Sequence, residues 1–232
     1  AAEIAFRSVM EGRATPVQMA ALLAALRTRG EAPSEVAGGV RALRHAMVPV
    51  PVTDGTPVVD TCGTGGGALV TFNISTAAAL LAAAAGVRIA KHGNRSFSSR
   101  CGSADVLEAL GVEIDLTPEQ LARILDRAGI VFMFAPRHHP AMRHVAPVRR
   151  ELGIPTIMNV LGPLTNPAGS RRQVVGVADP ANLPLLAEAL LQLGHERALV
   201  VHGQPGMDEF SPLGPTDVLE IRDGALRRFR LD

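Results

Sequence analysis

From Val58 onward, short apolar runs alternate with helical stretches, and this alternation restricts the fold more than any other feature of the chain. The runs are Val58-Val59, Val87 to Ala90, Ile130 to Phe134, Ile154 to Met158, Val174 to Val177 and Ala198 to Val201; helices are expected from Ser75, Ser103 and Ala181. Strands separated by crossover helices build a mostly parallel sheet, so an α/β domain is predicted. Val218 to Leu226 reads as a hairpin turning at Asp223-Gly224. Before the alternation the pattern is helical. Ile4, Phe6 and Met10, then Val17, Leu22, Leu23 and Leu26, with starts at Thr15-Pro16 and Ala32-Pro33-Ser34-Glu35, predict a three-element helical unit over residues 1–49. Val48-Pro49-Val50-Pro51-Val52 is extended and links it to an α/β unit over 57–232. With 47% hydrophobic residues, 232 positions can bury a substantial core.

Charge and composition exclude several functions. Twenty-three basic and 22 acidic side chains give a net charge of +1 without a basic stripe, and there is no Trp or Tyr to stack bases, so nucleic acid is not an expected partner. The most apolar stretch, Ala77 to Ala85, is far shorter than the roughly 20 residues that span a bilayer. No membrane association is expected. Two cysteines, Cys62 and Cys101, without a CxxC motif point to a reduced, cytoplasmic protein.

Residues 59–76, VDTCGTGGGALVTFNIST, form a strand-to-helix junction with glycine at 63, 65, 66 and 67. Each of those glycines costs conformational entropy. The cost is repaid where a ligand must approach the backbone: Gly63, Gly65, Gly66 and Gly67 let amides reach a phosphate, and Asn73, Ser75 and Thr76 sit at the following helix start. The spacing is neither a Walker loop nor GxGxxG. A second strand end, residues 90–111, carries Lys91, His92, Gly93, Asn94, Arg95, Ser96, Ser98 and Ser99, and Gly102-Ser103 opens another helix. So many donors suit a polyanionic, hydroxyl-rich ligand. In 138–153, a helical segment interrupted by Pro147, His139, Met142, Arg143, Arg149 and Arg150 are either a solvated face or, for an arginine facing the cleft, a carboxylate clamp. Asp208 and Glu209 follow the strand that ends at Val201-His202-Gly203; they are either a hydrated acidic turn or a Mg²⁺ site beside a phosphate.

Taken together, GTGG at 63–66, NIST at 73–76, KHGNRSFSS at 91–99, GSADVLEALG at 102–111, HHPAMRHVAPVRRELG at 138–153, NVLGPLTNPA at 159–168 and MDE at 207–209 resemble the anthranilate phosphoribosyltransferases, in order, over nearly the whole chain. The resemblance implies transfer of the phosphoribosyl group of phosphoribosyl pyrophosphate to the amine of anthranilate, a step of tryptophan biosynthesis. It implies a nucleoside phosphorylase-like architecture, with the helical segment 138–153 joining the helical domain and a homodimer formed through that domain. It also implies Mg²⁺, two ions per subunit.

Residue by residue, Gly63, Gly66, Gly67, Thr71, Asn73, Ile74, Ser75 and Thr76 would bind phosphoribosyl pyrophosphate. So would all of Lys91 to Ser99, Phe97 included, and Ser103. Gly63, Asn94 and Arg149 would contact anthranilate, and Ser75, Asp208 and Glu209 would hold the metal. His92 is expected to position substrate. An aromatic amine is neutral at pH 7, so no strong base is required and no catalytic side chain is assigned. In two respects the chain departs from the family. Gly67 stands where members commonly carry Asp, and members begin before Ala1 and continue past Asp232, so the chain reads as a piece truncated at both ends. Two alternatives share the scaffold: a pyrimidine nucleoside phosphorylase and a non-catalytic, nucleic-acid-binding relative.

Overall fold

The computed structural model describes residues 1–52, 55–67, 69, 71–96 and 101–232. The chain opens with three helices, α1 (Ala2–Met10), α2 (Pro16–Arg29) and α3 (Pro33–Ala46). Thr15 starts α2 through a reciprocal cap: its hydroxyl accepts from the Gln18 amide at 3.3 Å while Gln18 Oε1 accepts from the Thr15 amide at 2.9 Å. The extended segment that follows is tied down on both sides, Val48 N–H donating to the His138 carbonyl and Val50 N–H to that of Pro167.

The rest of the chain runs β1 (Val59–Gly63), α4 (Ile74–Ala84), β2 (Ile89–Gly93), α5 (Ser103–Ala109), α6 (Pro118–Ala128), β3 (Ile130–Phe134), α7 (Ala135–His138), a 3-10 turn at Pro140–His144, α8 (Ala146–Leu152), α9 (Met158–Leu161), a second 3-10 turn at Gly162–Leu164, β4 (Arg172–Gly176), α10 (Asn182–Gln192), β5 (Arg197–Gly203), β6 (Thr216–Arg222) and β7 (Ala225–Leu231). One seven-stranded sheet has the order β3-β2-β1-β4-β5-β6-β7. Its first five strands are parallel and the last two antiparallel. This is the expected α/β class. Because β2 and β3 lie on one side of β1 and β4 and β5 on the other, the chain changes winding direction beside β1, where open α/β sheets place their ligands. The Asp223-Gly224 turn closes the β6–β7 hairpin with φ of 52° and 76°, the left-handed pair such a turn needs.

Helix α3 packs on α10, and the largest hydrophobic cluster runs without a break from Phe6, Leu23 and Val40 through Leu161 to Leu186, Leu190 and Val200. Elements flanking the sheet therefore hold the helical part in place. A smaller cluster places Leu121 and Leu125 of α6 against Val58, Ala90, Val131 and Met133.

The structure corrects two expectations. Ile154 to Met158 is not a strand: Pro155 has no amide to give a ladder, the Thr156 amide is taken by Asn159 Oδ1 at 3.1 Å, and the chain enters α9 instead. Pro147 does not interrupt a helix. It occupies the first turn of α8, where a missing N–H costs nothing. Helix α6, which the strand alternation does not mark, begins at Thr117 with the same Thr/Gln cap as α2.

Candidate active site

The carboxyl ends of β1, β2, β4 and β5 share one edge of the parallel sheet, and the loops leaving them build the site. Gly65 and Gly66 have φ of 71° and 80°, so the first loop turns in a conformation that costs a side chain energy. Close approach explains other glycines. A Cβ on Gly63 would lie 2.4 Å from Asp208 Oδ2, and one on Gly176 1.6 Å from the Asp208 carbonyl oxygen. These two positions let the 206–209 loop settle onto the strand ends, where Asp208 Oδ2 accepts from the Gly65 amide at 2.8 Å. Gly176→Ala should displace that loop and lower Mg²⁺ affinity by about tenfold or more while the sheet stays folded, which titration calorimetry and circular dichroism can check together. Gly67 faces the same carboxylate: its Cβ would meet Asp208 Oδ1 at 3.4 Å. An acidic residue there would add charge to the Asp208 side of the site, and this chain lacks it.

The second loop is stitched to the first. Lys91 is buried, and its Nζ donates to the Thr61 carbonyl at 2.5 Å and to Ser75 Oγ at 3.1 Å. Thr76 Oγ1 donates to Ser103 Oγ at 3.1 Å, and Asn73 Nδ2 to the Gly102 carbonyl at 3.2 Å. Helix α4 thus starts at the edge where the loops meet, its positive N-terminal end beside Lys91, with the Ile74 and Thr76 amides taken by the Phe72 and Asn73 carbonyls and the Ser75 amide by Glu209. Gly93 keeps the loop close to the core, since its Cβ would lie 2.7 Å from the Phe132 ring. Asn94 and Thr71 are exposed and Ile74 is half-buried.

Arg95 is engaged within the chain. Its guanidinium pairs with Asp105 and Glu108 on α5 and lies 5.4 Å from the Phe134 ring centre. Asp105 in turn accepts from the Ser96 and Gly102 amides at 3.0 and 2.7 Å, which fixes both ends of the loop. Phe97, Ser98 and Ser99 lie outside the described residues.

Asp208 and the Ser75 amide both lie against Glu209. Burial, then the neighbouring Asp208, pushes the Glu209 carboxyl up to about 7, opposed by Lys91 and by the Ser75 amide. A carboxylate pair under this strain is a place for a cation. Among the described residues no three acidic, histidine or cysteine side chains cluster for a metal, so the chain offers two carboxylates and a hydroxyl. That donor set fits Mg²⁺, which takes few protein oxygens and fills the rest of its octahedron with water and phosphate oxygens.

Farther along, Arg149 on α8 is half-buried and Arg150 exposed. Burial lowers the Arg149 pKa, and its only described partner is Asn159 Oδ1 at 3.5 Å. His92 packs 5.0 Å from His139, ring centre to ring centre. Burial and then His139 and His138 hold the His92 pKa well below its ordinary value, so the ring is neutral at pH 7 and suits a positioning role rather than a cationic one.

Sequence reasoning missed the buried layer beneath these loops. Asp60 is fully buried in β1 and accepts from the His92 amide at 3.1 Å and Gln173 Nε2 at 3.4 Å. Asn166 Nδ2 donates to the Ala90 carbonyl at 2.8 Å. An acidic residue inside the apolar run VVDTC was the visible signal for Asp60.

Two family models divide the chain: one described as glycosyl transferase family, helical bundle domain, matches residues 1–47, and one described as glycosyl transferase family, a/b domain, matches residues 55–232. The anthranilate phosphoribosyltransferase of Rubrobacter xylanophilus is 58% identical over 99% of this chain and 67% of its own length. The chain belongs to the anthranilate phosphoribosyltransferase family. It spans about two thirds of the length of the curated relatives it matches, 67% and 64% for two of them. The crystal structure of the family member from Thermus thermophilus superposes with a TM-score of 0.92 at 50% identity, covering 99% of this chain and 68% of that one. The Saccharomyces cerevisiae member, solved in complex with PRPP and Mg, superposes with a TM-score of 0.86 at 30% identity, covering 98% of this chain and 65% of that one.

Proposed function

We propose that this chain carries the site at which phosphoribosyl pyrophosphate gives its phosphoribosyl group to the amine of anthranilate, with pyrophosphate as the second product. The observation that carries the reading is the convergence, on one sheet edge, of two amide-rich loops, a buried lysine and a strained carboxylate pair. In the reaction the bond from the anomeric carbon to pyrophosphate oxygen breaks, the carbon–nitrogen bond forms, and the amine passes one proton to the departing pyrophosphate or to water. Positive charge grows on the ribose and negative charge on the leaving group. The positive N-terminal end of α4 and the glycine loop receive the pyrophosphate, and Lys91 is held beside them through Thr61 and Ser75. Asp208, Glu209 and Ser75 would hold Mg²⁺, two ions per subunit, which neutralises the leaving group when bound. Arg149 clamps the acceptor's carboxylate, with Gly63 and Asn94 at the meeting of the two substrates, and His92 orients without transferring a proton. Positioning and charge complementarity supply the rate; no covalent enzyme adduct is needed.

Residues 1–49 and 138–153 form the helical domain and 57–232 the α/β domain; the packing of α2 against α8 supports this division. Exposed Ile4 and Val17, on α1 and α2, support a homodimer through the helical domain. Among the described residues no helix is long and apolar enough to cross a membrane, and a cytoplasmic location is proposed.

The test is titration calorimetry with phosphoribosyl pyrophosphate, with and without Mg²⁺. Binding that requires Mg²⁺ is expected; binding of a pyrimidine nucleoside or of nucleic acid in its place would refute the reading. A pH dependence follows from Glu209. Its carboxyl, raised from 4.5 to about 7, holds a proton in the metal-free protein that Mg²⁺ must displace. Mg²⁺ affinity should fall by about tenfold per unit as pH drops below 7 and level off above it, with about one proton released per binding event well below pH 7 and none well above it in calorimetry across buffers. The stability effect has the opposite sense without metal. A folded pKa above the unfolded one favours folding at low pH, and that contribution is lost as pH rises from about 4.5 through 7. Stabilisation by Mg²⁺ should therefore be larger at pH 8 than at pH 6.

A further inference from the structure

The parallel ladder between β1 and β2 stops after a single pair, Val59 with Ile89, although β1 pairs with β4, and β2 with β3, along their whole lengths. In a parallel ladder the next residue of β1 to bond β2 is Thr61, its amide giving to the Ala90 carbonyl and its carbonyl receiving the His92 amide. Each of these groups is met by a side chain. The Thr61 carbonyl takes Lys91 Nζ at 2.5 Å, the Ala90 carbonyl takes Asn166 Nδ2 at 2.8 Å, and the His92 amide gives to Asp60 Oδ1 at 3.1 Å. The Thr61 amide also reaches the Asp60 carboxylate.

We propose that Asp60 is a positioning residue for the phosphoribosyl pyrophosphate site: with Asn166 and Lys91 it replaces the rungs that would zip β1 to β2, and so sets the spacing of the two phosphate loops. This inference rests on the function proposed above. The placement suits the role, because both loops leave the sheet directly from these strands, at Gly63 and Gly93. The wedge is also anchored. Asn166 fixes its own turn by accepting from the Ala168 amide at 2.8 Å, and Gln173 Nε2 bridges Asp60 Oδ2 at 3.4 Å to the Pro163 carbonyl at 2.5 Å. Asp60 is fully buried, so water cannot substitute for its bonds. Burial pushes the Asp60 carboxyl up, and the Lys91 charge followed by the Asn166, His92 and Thr61 donors pull it back down. Spacing set by side chains can be fixed independently of the roughly 4.8 Å that ladder hydrogen bonds impose between strands.

Asp60→Asn tests this, since it keeps the shape but turns one acceptor oxygen into a donor that must face another donor. The KM for phosphoribosyl pyrophosphate should rise by about tenfold or more, while the KM for anthranilate stays within about twofold. A purely structural role would lower Tm and the active fraction, and hence the apparent kcat, at unchanged KM; that result overturns the proposal. Should Asp60→Asn not fold, Asn166→Ala removes another arm of the wedge without touching the buried charge. The same selective rise in KM is expected, and an unchanged KM overturns the proposal. Absence of phosphoribosyl pyrophosphate binding by the unaltered protein overturns the functional reading and this inference together, whereas normal binding in the unaltered protein and in both variants overturns this inference alone.

Discussion

Asp208→Asn combined with Glu209→Gln should cut turnover at saturating substrate by about 100-fold or more and abolish its dependence on Mg²⁺. The fold should survive, for a reason visible in the site. Burial and Asp208 force the Glu209 carboxyl to about 7, so at pH 8 the metal-free protein holds two carboxylates together against a gradient that a neutral pair does not face. Asn at 208 still offers an oxygen to the Gly65 amide, the bond Asp208 makes at 2.8 Å. The metal-free variant should therefore melt no lower than the metal-free parent at pH 8, and should lose the parent's Mg²⁺-dependent rise in Tm. Turnover that still responds to a Mg²⁺ titration in the double variant would refute the metal assignment.

Arg149→Ala is expected to raise the KM for anthranilate by well over tenfold while binding of phosphoribosyl pyrophosphate changes little. A guanidinium fork matches a planar carboxylate, and such a charge-assisted contact is commonly worth about 1.5–3 kcal/mol. Arg149 is half-buried, with only a long contact to Asn159 among the described residues. It therefore keeps donors for a ligand at a place where burial strengthens them. Arg150, about 100° further round the helix, is exposed and serves as the control. A larger loss of anthranilate affinity from Arg150→Ala, or equal weakening of both substrates by Arg149→Ala, would move the acceptor pocket elsewhere.

The legible parts of this molecule were those written in local sequence. Apolar runs flanked by turn residues marked β1 to β5, and the Asp-Gly pair marked the hairpin, because strand burial and turn geometry are set by neighbouring residues. Ile154 to Met158 failed for the same reason in reverse: its apolarity serves the core contact of Ile157 and Met158, while Pro155 and the Asn159 side chain redirect the backbone. Within the site, Lys91, Ser75, Asp208 and Glu209 could be named from strand ends alone. The partners of Arg95 could not, since Asp105 and Glu108 lie on the next helix and only packing brings them round. The buried layer was hidden for a similar reason. Asp60, Asn166 and Gln173 come from segments more than 100 residues apart at their extremes, and nothing short of the assembled sheet shows that they replace its missing rungs.

Release of pyrophosphate should follow when the protein is mixed with anthranilate, phosphoribosyl pyrophosphate and Mg²⁺. One pyrophosphate is expected for each anthranilate consumed, with no release when either substrate or the metal is left out. Pyrophosphate release that ignores anthranilate, or cleavage of a pyrimidine nucleoside by phosphate at the same site, would contradict it.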